Sequence, residues 1–243
     1  MSVAKHSQAM FFQARAAEKV RNPVLQRALQ KAKPLFVGKR AKGIAGLVDD
    51  GLAFEPLRDA CEAIRNRVLA DLDVWLDLFE ERARATGAEV LWARDGDEIC
   101  DLVIDVAHRH GVAKAVKSKS MLSEEAHLNE ALAAAGIQPV ETDLGEYIVQ
   151  LAGEAPSHII APAVHKTIGE IEELFAKAHQ RPAEPRTSAD IPAMTREARA
   201  VLRQHFLSAD MGISGANFLI AETGTAALVT NEGNGRMVTT LPK

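Results

Sequence analysis

Three stretches of this 243-residue sequence carry residue types able to do chemistry. The first, Val116-Lys117-Ser118-Lys119-Ser120-Met121, follows a short apolar run and precedes a helical pattern with an acidic first turn. Ligands of open α/β sheets collect at the carboxyl ends of the strands, so Lys119 and Ser120 are candidates for gripping a carboxylate or phosphate. Amides at the helix N-terminus would add about 0.3–1 kcal/mol for an exposed anion. The same lysine reads equally well as a solvated charge beside that acidic turn. The second stretch, Ala161-Pro162-Ala163-Val164-His165-Lys166, places in a loop a histidine able to exchange a proton near neutral pH, or simply an ordinary surface residue. The third is the glycine-rich segment 212–242, in which Asn231-Glu232-Gly233-Asn234-Gly235-Arg236 offers backbone amides and a guanidinium to an anion. It reads alternatively as a tight Asn-Gly turn with an exposed arginine. Walker A, GxGxxG, HExxH and GxSxG patterns are all missing, so nothing speaks for a hydrolase or a zinc enzyme, and no metal site is expected.

Those stretches need a scaffold. From residue 88 onward short apolar runs alternate with amphipathic patterns: strands are expected at 89–93, 113–117, 139–142 and 158–161, and helices at 98–110, 124–135, 144–152 and 168–178. That alternation predicts an α/β fold, a mostly parallel sheet flanked by helices and joined by right-handed crossovers. Thr167 with Glu170 forms a capping box, Asp143 with Glu146 its Asp-headed analogue, and Ser123 before Glu124 and Glu125 marks another helix start. A proline-containing connector follows at 181–192, then a helix at 194–208, and then a hairpin of runs 218–221 and 226–230 around a Thr223-Gly224-Thr225 turn.

Upstream, 2–32 reads as helical with a break at Asn22-Pro23, and 34–51 as loop. Leu57, Cys61, Ile64, Val68, Leu72, Trp75 and Phe79 step by three or four residues along one face of a long helix. That position makes Cys61 a small buried hydrophobe rather than a ligand. The net charge of −4 conceals an asymmetry: residues 1–50 hold ten Lys/Arg against three acids, and the remainder 19 against 30. A basic arm thus precedes an acidic body, suited to docking on an acidic partner or to folding back on its own body. Nothing in it is a nucleic-acid motif. With two cysteines, no export signal and no membrane-length apolar run, a reduced, cytoplasmic setting is expected.

The order of Lys117-Ser118-Lys119-Ser120-Met121, Leu128-Asn129-Glu130, Glu141-Thr142-Asp143-Leu144-Gly145-Glu146, Pro156-Ser157-His158-Ile159 and Asn231-Glu232-Gly233-Asn234-Gly235-Arg236 resembles the LUD domain. More specifically, it is similar to the larger, iron-sulfur-containing subunit of bacterial lactate-utilisation systems, over nearly the whole chain. The resemblance implies a fold similar to the sugar-phosphate isomerase and CoA-transferase superfamily, with a basic helical arm at 1–52 and a LUD-type α/β domain at 53–243. It further implies a role in oxidising L-lactate to pyruvate with two other lactate-utilisation proteins. Longer members continue into a ferredoxin-like region binding two 4Fe-4S clusters; this chain stops short of that region and is expected to hold no cofactor and carry no electrons itself. A ligand-binding or assembly module is therefore the leading expectation, with Lys119, Ser120, Asp143, Thr223, Gly224, Thr225 and residues 231–236 toward a small anionic ligand. The alternative is an independent enzyme acting on a CoA ester, sugar phosphate or small carboxylic acid. In that case Glu222, before the Thr-Gly-Thr turn, serves as nucleophile or base, with His165 as a further candidate.

Overall fold

The computed structural model describes residues 11–154, 156, 161–179, 190–230 and 232–242. Three short strands, β1 (Lys114–Lys117), β2 (Gln138–Glu141) and β3 (Met211–Ile213), pair in parallel in the order β2-β1-β3. Side chains alternate across a strand, so the fully buried Ala115 and Val116 of the central strand face opposite layers. Ala115 packs with Cys100, Ala107, Leu128, Leu132 and Ile137, toward α5 (Gly96–Arg109) and α7 (Leu128–Ala134). Val116 packs with Tyr147, Phe175, Met194, Leu202 and Phe206, toward α8 (Leu144–Ala152), α9 (Ile168–Ala178) and α10 (Ile191–Ser208). The architecture is α/β, a small parallel sheet flanked by helices, as the alternation of patterns predicts.

Capping chemistry decides which boundaries fall as expected. Helix α8 starts where Asp143 accepts the N–H groups of Gly145 and Glu146, and α9 where Thr167 and Glu170 complete their capping box. The single helix expected at 124–135 is instead two, α6 (Met121–Glu125) and α7, capped at Ser120 rather than Ser123. Between them His127 takes a left-handed φ of 56°, a conformation that costs a non-glycine residue roughly 1–3 kcal/mol. The turn is held from both sides: Cys100 Sγ donates to the Ala126 carbonyl at 3.1 Å, and Leu128 and Leu132 enter the core.

Two strand expectations change. Residues 89–93 form no strand, because the Val90 carbonyl accepts from the Arg84 guanidinium at 2.7 Å and Trp92 Nε1 donates to Glu80 at 2.7 Å. Strand β3 was not expected at all; it is three residues long with a glycine at its centre. A Cβ on Gly212 would lie 1.9 Å from the Val238 carbonyl oxygen of α11 (Asn234–Thr240), so that helix rests directly on the strand backbone. Asp210 aligns β3 with β1 by accepting the N–H groups of Ala113 and Lys114 at 3.0 Å each. The expected hairpin forms from β4 (Phe218–Ile220) and β5 (Thr225–Ala227). The expected strand at 158–161 and connector at 181–192 lie largely outside the described residues.

The N-terminal helices behave differently. The break at Asn22-Pro23 separates α1 (Phe12–Arg21) from α2 (Pro23–Asp49), and the Asn22 side chain accepts from the N–H groups of Val24 and Leu25. The loop expected at 34–51 is instead helical as far as Asp49: Pro34 removes a single amide, and the lysines, arginine, alanines and leucine around it are good helix formers. The long helix expected next divides at Asp71 into α3 (Phe54–Ala70) and α4 (Leu72–Ala85). Its stripe is only partly used: Val68, Trp75 and Phe79 are half-buried, but Leu57, Ile64 and Leu72 are exposed and no residue of α3 is fully buried. Cys61, expected to be buried, is exposed for the same reason. Helices α1, α2 and α3 make their main contacts with the next helix in sequence. Among the described residues no helix is long and apolar enough to cross a membrane.

Candidate functional site

The three parallel strands deliver their carboxyl ends to one edge. Beyond β1 come Ser118, Lys119 and Ser120; beyond β2, Thr142 and Asp143; beyond β3, residues 214–217. All of these except Thr142 line, with residues 228–230, Glu232, Asn234 and Gly235, a cavity of about 700 Å³, within the size range of small-molecule sites. Its lining is rich in short polar side chains. Ser118 and Ser214 share a hydrogen bond of 2.7 Å between their hydroxyls, and Asn217 accepts the Val229 N–H at 2.8 Å. Deeper in, Thr142 donates to the Lys117 carbonyl at 2.6 Å and receives the Asn234 amide at 3.4 Å. The segment after β5 is thereby tied to the strand edge.

Charge is distributed unevenly along this edge. Asp143 and Glu232 both face the N-terminus of α8, Glu232 accepting from the Leu144 N–H at 3.3 Å. Partial burial and then the neighbouring Asp143 carboxylate push the Glu232 carboxyl upward, opposed by that bond from Leu144. The amides of α8 are therefore already occupied by the protein's own acids, and Lys119 is the cation in the cavity lining. Its ammonium bonds to Glu146, which is buried on the first turn of α8. One residue pair further inward, Lys117 is 1% exposed and donates to Glu141 at 2.8 Å and to Asn129 at 2.6 Å.

A second cavity, of about 800 Å³, shares Met121 with the first and is lined by Glu124, Asn129, Glu141, Glu146, Gln150 and Glu154, among others. Glu124 is pushed up to about 7, chiefly by burial, then by its hydrogen bond to Glu146 and the charges of Glu146 and Glu141, against the pull of Lys119. Glu154 binds both Lys166, at 2.5 Å, and His165, at 2.8 Å, and these two partners hold its carboxyl below the usual range.

The candidates from sequence divide sharply. Lys119, Ser120, Asp143, Glu232, Asn234 and Gly235 converge on the first cavity, and Gly233 adjoins it as the left-handed cap of α11. Arg236 lies on the exposed face of α11, outside the lining, and Asn231 lies outside the described residues. Glu222, Thr223, Gly224 and Thr225 form the hairpin turn, away from that lining, with Glu222 exposed. The turn sits against α4: a Cβ on Gly224 would lie 2.2 Å from the Ala83 nitrogen. His165 belongs to the Glu154 cluster instead. Sequence reasoning flagged the glycine-rich segment 212–242 but named none of residues 214–217 as site residues, because the β3 they follow was unexpected. Glu124 and Glu146 were read only as helix-start acids.

The chain's cysteines do not fit an iron-sulfur cluster. A 4Fe-4S cluster takes four thiolates; this chain has two cysteines, one exposed on α3 and one buried in α5 donating to the Ala126 carbonyl. Among the described residues no three His, Cys, Asp or Glu side chains are grouped to hold a metal ion.

Fold and cavity together define a parallel α/β domain with a ligand-sized recess at the carboxyl edge of its sheet. Residues 76–243 match the LUD domain family, and the chain belongs to it. Over 234 residues it is 40% identical to YkgF of Escherichia coli K12, an uncharacterized electron transport protein, covering 96% of this chain and 47% of that one. It is likewise 40% identical over 235 residues to lactate utilization protein B of Bacillus subtilis 168, again covering 96% and 47%. For lactate utilization protein B of Macrococcus caseolyticus the identity is 44% over 193 residues, covering 78% and 39%. The chain spans about half the length of the first two relatives, and no solved structure matches it.

Proposed function

We propose that this α/β unit is the ligand-binding and assembly domain of an iron-sulfur protein that oxidises L-lactate to pyruvate in the cytoplasm with two other lactate-utilisation proteins. The unit extends from about residue 53, behind the basic arm. It binds a small organic anion and does not carry electrons itself. The observation behind this reading is the convergence of three strand ends on one cavity that combines the Lys119 ammonium with the hydroxyls of Ser118, Ser120, Ser214 and Thr230. A 2-hydroxy acid presents the matching groups, one carboxylate and one hydroxyl, and Arg or Lys bonds to carboxylates are among the stronger hydrogen bonds. The names of the relatives supply the lactate pathway.

Calorimetric titration of the 243-residue chain with L-lactate and with pyruvate tests the reading. Saturable binding is expected, weakened about tenfold or more in Lys119→Met, since hydrogen bonds to charged groups contribute about 1.5–3 kcal/mol. No binding of either acid sinks it. A 4Fe-4S absorption band in this chain, with lactate turnover on an artificial acceptor, would overturn the claim that it carries no electrons. The enzyme reading built on Glu222 lacks comparable support, because that carboxylate stands on an exposed turn outside both cavity linings.

A further inference from the structure

The two cavities share Met121 in their linings, and three charged side chains from three elements connect one lining to the other. Lys119, from the loop after β1, lines the strand-edge cavity; Glu146, from α8, and Glu124, from α6, line the other. Lys119 bonds to Glu146, which keeps only 4% of its side chain exposed, and Glu146 lines the second cavity together with the Glu124 carboxyl that it raises. Removed from water and side by side, two carboxyl groups resist double ionisation unless a cation stands beside them. Lys119 is that cation. Glu141 of β2 adds negative charge but is compensated by Lys117, while Glu125, His127, Glu130 and Glu154 face the same second cavity from its rim.

A ligand carboxylate entering the strand-edge cavity must compete for Lys119 with Glu146. We propose that an organic carboxylate enters this site together with one proton: it takes the Lys119 ammonium from Glu146, and the Glu146–Glu124 pair, deprived of its cation, binds the proton. The ammonium keeps its three protons, the incoming proton comes from solvent, and no bond between heavy atoms changes. The site therefore selects for its ligand through an internal rival, and affinity depends on how easily that rival is neutralised. This inference rests on the carboxylate reading above but fails separately from it.

The test is calorimetry of the 243-residue chain with L-lactate at pH 8, in phosphate and in Tris, buffers with very different ionisation enthalpies. Uptake of about one proton per ligand is expected, with Kd weakening about tenfold per pH unit between pH 7.5 and 8.5 by linkage. Glu146→Gln removes the rival, so lactate binds more tightly at pH 8 and the uptake falls toward zero. Glu124→Gln, at a half-buried position on a short helix, reduces the pH dependence without relying on the deeper substitution folding normally. Binding with equal enthalpy in both buffers and a pH-independent Kd, while Lys119→Met abolishes it, overturns the proton coupling and leaves the carboxylate site standing. Absence of lactate binding, or binding indifferent to Lys119→Met, overturns both.

Discussion

Helix α3 carries a periodic apolar stripe and strand β1 a short apolar run, yet they end in opposite surroundings. Strand β1 has helical layers on both faces and buries Ala115, Val116 and even Lys117; α3 touches chiefly its neighbours in sequence and fully buries no residue. Periodicity states which face of an element is able to be buried. Burial itself also needs a second surface, and the hydrophobic contribution of about 25 cal/mol per Å² follows only the area actually covered. The contrast extends to charge: among the described residues the arm's lysines and arginines are solvated, whereas the body encloses a lysine between Glu141 and Asn129.

Lys117→Met probes the enclosed side of that contrast hardest. It leaves Glu141 buried beside Asn129 without its cation, and chemical denaturation should show a loss of about 3–5 kcal/mol. The double variant Lys117→Met with Glu141→Leu should recover most of it; if it does not, packing rather than charge pairing dominates there.

Next in size comes the pH dependence of Glu124→Gln. Because the folded carboxyl titrates near 7, above its ordinary value of 4.5, the folded state holds the extra proton between those limits. Stability from this group is therefore present below about pH 4.5 and lost as pH rises through 7. The variant should melt higher than the parent at pH 8 and equally at pH 4; identical melting curves at both pH values would show that the fold does not raise the Glu124 carboxyl.

Smallest of all is Ile64→Ser on α3. With 52% of the isoleucine exposed, its stability change should stay within about 0.5 kcal/mol. A loss above 2 kcal/mol would mean that the stripe is covered in solution and would remove the contrast.

Legibility in sequence followed local chemistry. Helices α8 and α9 were readable to the residue because Asp143, Thr167 and Glu170 fix their starts with side-chain bonds. Strand β3 was not, since three residues with a central glycine carry no alternation; what stabilises it is Asp210 and the backbone of α11, both remote contacts. Within the candidate site, Lys119, Ser120 and Asp143 were visible because strand ends are where ligands collect. Residues 214–217 were hidden with their strand. Arg236 stood next to glycines and suggested an anion loop, but the left-handed Gly233 starts a helix there and turns the guanidinium outward. Glu146 and Glu124 looked like ordinary helix-start acids; only the tertiary fold sets them against each other and against Lys119.

The seat of the hairpin tip on α4 has a mechanical side. Gly224 meets the Arg82–Ala83 backbone so closely that no side chain fits between them, and a few residues later the same chain becomes the roof of the strand-edge cavity at Leu228, Val229 and Thr230. Hairpin and helix are thus in direct backbone contact, and any side chain introduced at position 224 has to part them. Parting them shifts the strand that leads directly into the roof, so a substitution remote from the cavity lining is felt at Leu228, Val229 and Thr230 through the hairpin backbone.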